Sequence, residues 1–116
     1  MGKQGEAEEL HRGIVAELRR GLSAVLVLAS LGRERYGYTL LKDLEAAGLA
    51  VDQNTLYPLL RRLESQGLLT STWKVEAQRP RRYYVRTALG TVVLKGLRTE
   101  LAAQRMLLEE IEHETH

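Results

Sequence analysis

The sequence contains no cysteine, and this absence removes several kinds of site at once. Without thiols the chain cannot form disulfide bonds, bind a metal through thiolates or use a cysteine nucleophile. The three histidines, His11, His113 and His116, lie near the two ends of the chain, and none has other metal ligands at a suitable spacing. We therefore expect no metal site, and no motif in the sequence calls for a cofactor.

Long apolar runs are missing as well. The N-terminal segment MGKQGEAEEL has no apolar signal core, and no apolar run reaches the length of about 20 residues that a membrane helix needs. We expect a cytoplasmic protein without membrane contact. An enzyme is not expected either, because Asp43 and Glu45 have no histidine nearby and no serine or threonine lies in a nucleophile motif.

The positive charge is concentrated in one third of the chain. A length of 116 residues with 44% apolar content suits one compact unit with a modest core, and the net charge is only +2. Residues 53–87, however, contain seven lysines and arginines against two acids, Glu64 and Glu76. Such a region is typical of a nucleic-acid surface, because cations displace the counterions condensed on phosphate. An ordinary solvated surface is the alternative.

A helix over residues 51–67 (VDQNTLYPLLRRLESQG) is the central prediction. Its leucines recur at the spacing that places side chains on one buried face of a helix: Leu56, Leu59, Leu60 and Leu63. The opposite face carries polar and basic groups: Asn54, Pro58, Arg61 and Ser65, with Tyr57 and Arg62 on its flanks. This second face is suited to contact an anionic partner.

Both ends of this helix carry signals. Asp52 or Asn54 can accept a hydrogen bond from the first turn, and Gly67 can adopt the left-handed conformation that ends a helix. Pro58 is tolerated if Asn54 or Thr55 is the N-cap, because its missing N–H then falls close to the first turn. We therefore expect a tight or irregular start and a regular body from Leu59 onward.

The preceding segments also predict helices. Residues 6–20 carry an apolar stripe of Leu10, Ile14 and Leu18, and residues 22–31 are apolar nearly all round. Whether Gly21 separates two helices or only kinks one stays open. After a turn over residues 32–37, residues 38–47 form a short helix closed by Gly48. Two short helices joined by a brief link, the second one basic, indicate a helix-turn-helix.

A β-hairpin follows the basic helix. Residues 68–75 and 83–87 are rich in strand formers, and the segment EAQRPRR between them places a proline and three arginines at the hairpin tip. We expect Arg79 and Arg81 to contact DNA near the minor groove, with solubilising charge as the alternative. Trp73 is interpreted as a packing residue of the hairpin. The fold class is mainly α with a small β-hairpin (α+β), a winged helix-turn-helix.

The last segment, residues 88–114, predicts a long helix capped by Thr87. Apolar residues occupy the a and d positions of its heptads, except for one d position that is Gln104: Leu94, Leu97, Leu101, Leu108 and Ile111. The seam is longer than a small winged domain needs, which predicts a homodimer formed with the stripe of residues 6–20; packing within one chain is the alternative. The chain then divides into dimer support (1–20), DNA-binding domain (21–87) and dimerisation helix (88–116).

Four segments together resemble the PadR-like family of bacterial transcriptional regulators: ELRRGLSAVLVLASLG, RYGYTLLKDLEAAG, NTLYPLLRRLESQGLL and RPRRYYVRTALG. The resemblance, to the short subfamily with a single C-terminal helix, implies a winged-helix dimer that represses promoters and releases DNA when a small molecule binds. It also implies DNA contacts at Tyr38, Thr55, Tyr57 and Pro58 beside the wing arginines. Where the family usually has a proline before its Tyr-Gly-Tyr triplet, this chain has Arg33-Glu34-Arg35.

The resulting hypothesis is a sequence-specific regulator of double-stranded DNA. The basic helix enters a major groove of a pseudo-palindromic operator, with Asn54 and Arg61 near base edges. Thr55, Tyr57 and Arg62 contact phosphates. The effector is a small molecule of unknown identity. A winged protein-interaction module that does not read DNA is the alternative.

Overall fold

The structure of the protein is a computed structural model that describes residues 2–115. Met1 and His116 lie outside the described residues, and with them the expectation that His116 is not a metal ligand. Residues 2–115 form four helices and three strands in the order α1 (Lys3–Ser30), β1 (Arg35–Tyr36), α2 (Gly37–Ala46), α3 (Gln53–Ser65), β2 (Leu69–Glu76), β3 (Arg79–Arg86) and α4 (Ala88–Glu114). The strands form one antiparallel sheet in the order β1-β3-β2. The predicted α+β winged helix-turn-helix is confirmed.

Helix α1 is continuous through Gly21, so the segments on either side form one helix of 28 residues. It crosses the boundary between residues 20 and 21 that the sequence suggested for the domains. Only its last third enters the core, where Val27 and Leu28 are buried. Most of its first two thirds is exposed, including Leu10, Ile14 and Leu18.

The helix-turn-helix is fixed by its caps. Gly48 has φ +98°, and the two backbone bonds Gly48 N to Glu45 O and Leu49 N to Leu44 O close α2 as a Schellman motif. Asp52 caps α3 by accepting from Thr55 N at 2.9 Å. Gly67, at φ +80°, ends α3 in the left-handed conformation, as predicted.

Pro58 lies in the second turn of α3 and not near its first. Because Asp52 is the N-cap, Pro58 is the sixth helical residue and offers no N–H to the carbonyl of Asn54. The start of α3 is tight, because Thr55 N and Leu56 N both donate to the carbonyl of Asp52, but it is not irregular, since α3 is helical from Gln53 throughout. Both Pro58 and Asn54 are exposed, so water can satisfy the carbonyl and the lost bond costs little.

The wing hairpin is tighter than predicted. Its loop is only Ala77 and Gln78, which adopt φ +50° and +65°, and the strands pair from Leu69↔Arg86 out to Glu76↔Arg79. The expectation that Pro80 and three arginines form the tip is wrong, because those residues belong to β3. Neighbouring strand β1 pairs only with Tyr83 and Tyr84, so no strand formed by the described residues lies beside Pro80 on the outer edge of β3.

Strand β1 lies where the sequence predicted only a turn. Arg35 pairs with Tyr84 and Tyr36 with Tyr83, which attaches the α1–α2 connection to the wing. A strand of two residues carries no hydrophobic period of its own. Its pairing depends on β3, some 47 positions further along the chain in the register Arg35↔Tyr84 and Tyr36↔Tyr83, and local sequence could not reveal it.

The core is built mainly from leucines of all four helices. Its fully buried members include Leu28, Leu31, Leu40, Leu56, Leu60 and Leu69. Thr87 caps α4 as predicted, accepting from Gly90 N at 3.0 Å. Leu94 was assigned to the dimer seam, but it is 3% exposed in a single chain and belongs to this core. Along α4 the chain is half-buried at Leu97 and exposed from Arg98 onward.

Candidate nucleic-acid interface

Helix α3 presents one continuous exposed face of polar and basic residues. These are Asn54, Thr55, Pro58, Arg61, Arg62 and Ser65. The opposite face is buried through Leu56, Leu60 and Leu63, in agreement with the predicted spacing. Among residues 2–115 no carboxylate lies within ion-pair distance of Arg61 or Arg62. The face therefore offers two uncompensated cations and an amide to an anionic partner.

One flank of this face borders a groove between α2, α3 and the wing. The groove has a volume of about 340 Å³ and is lined by tyrosines and arginines: Tyr36, Tyr38, Tyr57, Arg61, Trp73, Arg81, Arg82 and Tyr84, with Gly37. Four of the predicted contact residues, Tyr38, Tyr57, Arg61 and Arg81, thus share one site. Thr55 lies on the other flank, facing α1.

Gly37 explains how Tyr57 is held in that groove. A Cβ added at Gly37 would lie 2.3 Å from Cε1 of Tyr57, so only glycine lets the ring pack on the start of α2. Tyr57 is half-buried as a result, whereas Tyr38 is 53% exposed with the ammonium of Lys42 5.6 Å from its ring centre. The central glycine of the Tyr-Gly-Tyr triplet is therefore required for the packing of Tyr57, and the tyrosine that follows it is exposed.

The outer face of the wing stacks cations on tyrosines. The guanidinium of Arg81 lies 4.6 Å from the ring centre of Tyr36 and 3.6 Å from a carboxylate oxygen of Glu76. The edge of Tyr36 meets Tyr83, whose ring lies 4.9 Å from the ammonium of Lys74. Arg81 thus has partners within the chain, Tyr36 and Glu76. Arg79 beside the tip is exposed and has no ion-pair partner among residues 2–115.

Several basic residues of this region serve the fold. Lys74 pairs with Glu34, and the hydrogen bond to this carboxylate raises the pKa of Lys74. Arg82 pairs with Glu64 at 2.7 Å. Arg86 donates to the carbonyl of Leu28 at 2.6 Å. Counting charges along the sequence could not separate these cations from the free ones, because their partners are distant in the chain.

Trp73, interpreted as a packing residue, is 66% exposed. Its contact is with the guanidinium of Arg82, 5.8 Å from the ring centre, on the face of the hairpin that continues from the core. On the same face Tyr84 is 5% exposed, and burial raises the pKa of its hydroxyl, which stays neutral. The sequence signal for this face was the alternation of Leu69, Ser71 and Trp73.

Residues 25–96 match the Transcriptional regulator PadR-like family. The chain belongs to the PadR-like family of transcriptional regulators. It is 40% identical over 81 residues to the transcriptional regulator Rv3488 of Mycobacterium tuberculosis, a match that covers 70% of this chain and 69% of that protein. As a PadR-like regulator the chain acts in DNA-binding regulation and is not an enzyme.

Solved PadR structures share the fold. A PadR family transcriptional regulator from Eggerthella lenta is 40% identical with a TM-score of 0.87, covering 91% of this chain and 95% of that one. A PadR-like transcription factor from Bacteroides fragilis is 29% identical with a TM-score of 0.74, covering 85% and 98%. No helix among the described residues of this PadR-like chain is long and apolar enough to cross a membrane.

The segment Arg33-Glu34-Arg35, where the resemblance leads one to expect a proline, preserves the turn by ion pairs. Arg35 pairs with Asp43 of α2, and Glu34 pairs with Lys74 of the wing. The turn before the Tyr-Gly-Tyr triplet of this PadR-like chain is therefore held by contacts to two neighbouring elements.

Proposed function

We propose that this PadR-like regulator is a homodimeric repressor, acting in the cytoplasm, that reads a pseudo-palindromic operator with α3. The observation that carries the proposal is the exposed face of α3, where Asn54, Arg61 and Arg62 have no carboxylate partner within residues 2–115, next to a wing that exposes Arg79. A helix fits the major groove, and a two-fold protein matches a two-fold site.

The residues of the interface have different roles in this proposal. Asn54 and Arg61, central on the exposed face, read base edges, because an amide and a guanidinium pair with adenine and guanine respectively. Thr55, Tyr57 and Arg62 on the flanks position the helix on phosphates, together with Tyr38 and Pro58. Arg79 and Arg81 extend the contact to the neighbouring minor groove. To make that contact, Arg81 has to give up its position over Tyr36 and its ion pair with Glu76.

The proposed dimer rests on apolar side chains that one chain leaves exposed. Leu101, Leu108 and Ile111 of α4 are 40%, 59% and 49% exposed, and Leu10, Ile14 and Leu18 of α1 are 61–65% exposed. Both rows continue beyond the core at helical spacing, on parts of α1 and α4 that pack little against their own chain. Half-buried Leu97 lies at the edge of the seam. Burying such rows against a second copy is the expected use for them.

Release by an effector is the last part of the proposal. A cleft of about 790 Å³ lies between α1 and the link of residues 49–52, and it reaches Asp52 and Thr55 at the start of α3. A small molecule bound along α1 at the dimer interface would change the spacing of the two recognition helices and so shift the population away from the DNA-competent arrangement.

Fluorescence anisotropy tests the function. The purified protein is titrated against duplex DNA from upstream of its own gene and against a shuffled duplex, each at several salt concentrations. We expect tighter binding to the upstream duplex and a more salt-sensitive response on the shuffled one. Equal weak binding to both would favour a winged protein-interaction module and overturn the proposal.

The substitution Arg61→Ala then tests the role of one residue. It should weaken the binding free energy for the upstream duplex by about 1–3 kcal/mol and relax the preference for one base, because a guanidinium that reads guanine is lost. The control is Arg62→Ala, which should weaken binding to the upstream duplex and to the shuffled duplex by the same factor. If Arg61→Ala loses the same affinity for both duplexes, Arg61 contacts a phosphate and does not read a base.

A further inference from the structure

A closed polar network joins the recognition helix to both strands of the wing. Ser71 Oγ of β2 donates to Glu64 Oε2 of α3 at 2.6 Å. Arg82 of β3 donates through Nε to Ser71 Oγ at 2.9 Å and through Nη2 to Glu64 Oε1 at 2.7 Å. The three side chains therefore form a ring of hydrogen bonds, with one corner on each of three elements.

The surroundings of this network give it strength. The side chains of Arg82 and Glu64 are 35% and 25% exposed, so the ion pair is shielded more than an ordinary surface pair. The guanidinium of Arg82 also lies near two aromatic rings, 5.8 Å from the centre of Trp73 and 5.4 Å from that of Tyr84. The hydrogen bonds from the planar guanidinium of Arg82 fix the position of Arg82 relative to Glu64 and Ser71, and the contacts with the two rings favour the same position.

The position of the network along the hairpin decides its role. Residues 72–80, beyond Ser71, are all exposed. Among the described residues, the network holds the hydrogen bonds between α3 and the wing that lie nearest to the tip with Arg79. The outer face has its own attachments at Lys74 and Arg81, which lead to the α1–α2 connection and not to α3.

We propose that Glu64, Ser71 and Arg82 are positioning residues for DNA binding, which hold the wing at the distance from α3 that lets both elements reach one duplex. The inference rests on the proposed function. A binder that touches two grooves loses less entropy on association when the spacing of its two contacts is already fixed. Arg82 accordingly acts through the wing and not as a phosphate contact.

Removal of Glu64 separates this role from simple electrostatics. Glu64 is an acid beside the DNA-binding cations, so its loss should tighten DNA binding if charge alone matters. If Glu64 positions the wing, Glu64→Ala should instead weaken binding to the upstream duplex by about twofold to thirtyfold. Alanine is a better helix former than glutamate, so α3 is retained.

Matched variants complete the design. Glu76→Ala makes the same change of charge and size on the wing outside the network, and it should tighten binding because it also releases Arg81. Glu64→Gln keeps an acceptor for one of the two donors and should bind between wild type and Glu64→Ala. Ser71→Ala removes one corner while it leaves the ion pair in place, and it should weaken binding less than Glu64→Ala.

Trp73 gives a readout that needs no DNA. It is the only tryptophan and stacks on Arg82, so acrylamide quenching of its fluorescence reports whether the network holds the wing. We expect greater quenching in Glu64→Ala than in wild type or Glu76→Ala. Quenching equal to wild type, or binding as tight as that of Glu76→Ala, would overturn the proposal. If wild type itself binds no duplex, the proposed function fails and the quenching alone decides whether the network holds the wing.

Discussion

Gly90 sets the angle at which α4 leaves the wing, and its replacement should be unusually costly. A Cβ at this position would lie 2.2 Å from the carbonyl oxygen of Leu68 and 2.7 Å from Cγ of Arg86. The side chain of Arg86 can move, but the carbonyl of Leu68 is backbone that already accepts from Thr87 N at 3.1 Å. Relief of the clash must therefore move the start of α4 or break that hydrogen bond.

The substitution Gly90→Ala has a control in the same helix. Gly96 has nothing within 4 Å of an added Cβ, so Gly96→Ala should gain about 0.5–1 kcal/mol of helix propensity. Gly90→Ala gains the same helix propensity but overpacks the site, and we expect its free energy of unfolding to fall by about 2 kcal/mol. With a urea dependence of about 2 kcal/mol per molar, the midpoint should fall by about 1 M.

Urea unfolding followed by circular dichroism measures both variants at one chain concentration, because a dimer's stability depends on that concentration. The two midpoints should move in opposite directions from that of wild type. A midpoint for Gly90→Ala at or above the wild-type value would mean that α4 does not start against Leu68. The argument about its angle would then fail.

Three further changes test other parts of the structure. Replacing Ala77 and Gln78 with Asn and Gly should slow hydrogen exchange of the wing amides, because the positive φ angles of the turn cost these residues about 1–2 kcal/mol each; unchanged exchange would contradict the turn. Asp52→Ala should lower the free energy of unfolding by about 1 kcal/mol in urea, and undiminished stability would show that the cap contributes nothing. Leu108→Glu should give monomers by sedimentation while Met106→Glu, on the other side of α4, stays dimeric; two dimeric variants would refute the seam.

The elements that the sequence predicted well are those with local causes. The leucine period of α3 and the capping residues Asp52, Gly67 and Thr87 act within a few positions of one another, so they can be read without knowledge of the fold. The sequence leaves the continuity of α1 open, because Gly21 is the only local signal at the boundary. Glycine disfavours but does not forbid a helix, and the exposed position of Gly21 places no further demand on it.

The errors arose where distant residues decide the structure. Strand β1 exists because β3 pairs with it, and the two-residue turn follows from a ladder that extends to Glu76↔Arg79 despite positive φ at Ala77 and Gln78. Leu94 fits the heptad seam as well as its neighbours do, but the core of the same chain covers it. Periodicity identifies a buried face without identifying what buries it.

The same reasoning changes the expected salt dependence of DNA binding. If all seven cations of residues 53–87 contacted phosphate in both protomers, the slope of log K against log salt would be about −13. Lys74, Arg82 and Arg86 are bound within the fold, which leaves Arg61, Arg62, Arg79 and Arg81 in each protomer and a slope of about −7. Anisotropy titrations of the upstream duplex between about 50 and 200 mM salt measure this slope. A value near −13 would mean that the internal ion pairs open on DNA, and the structure of the wing in the free protein would then be a poor guide to its bound form.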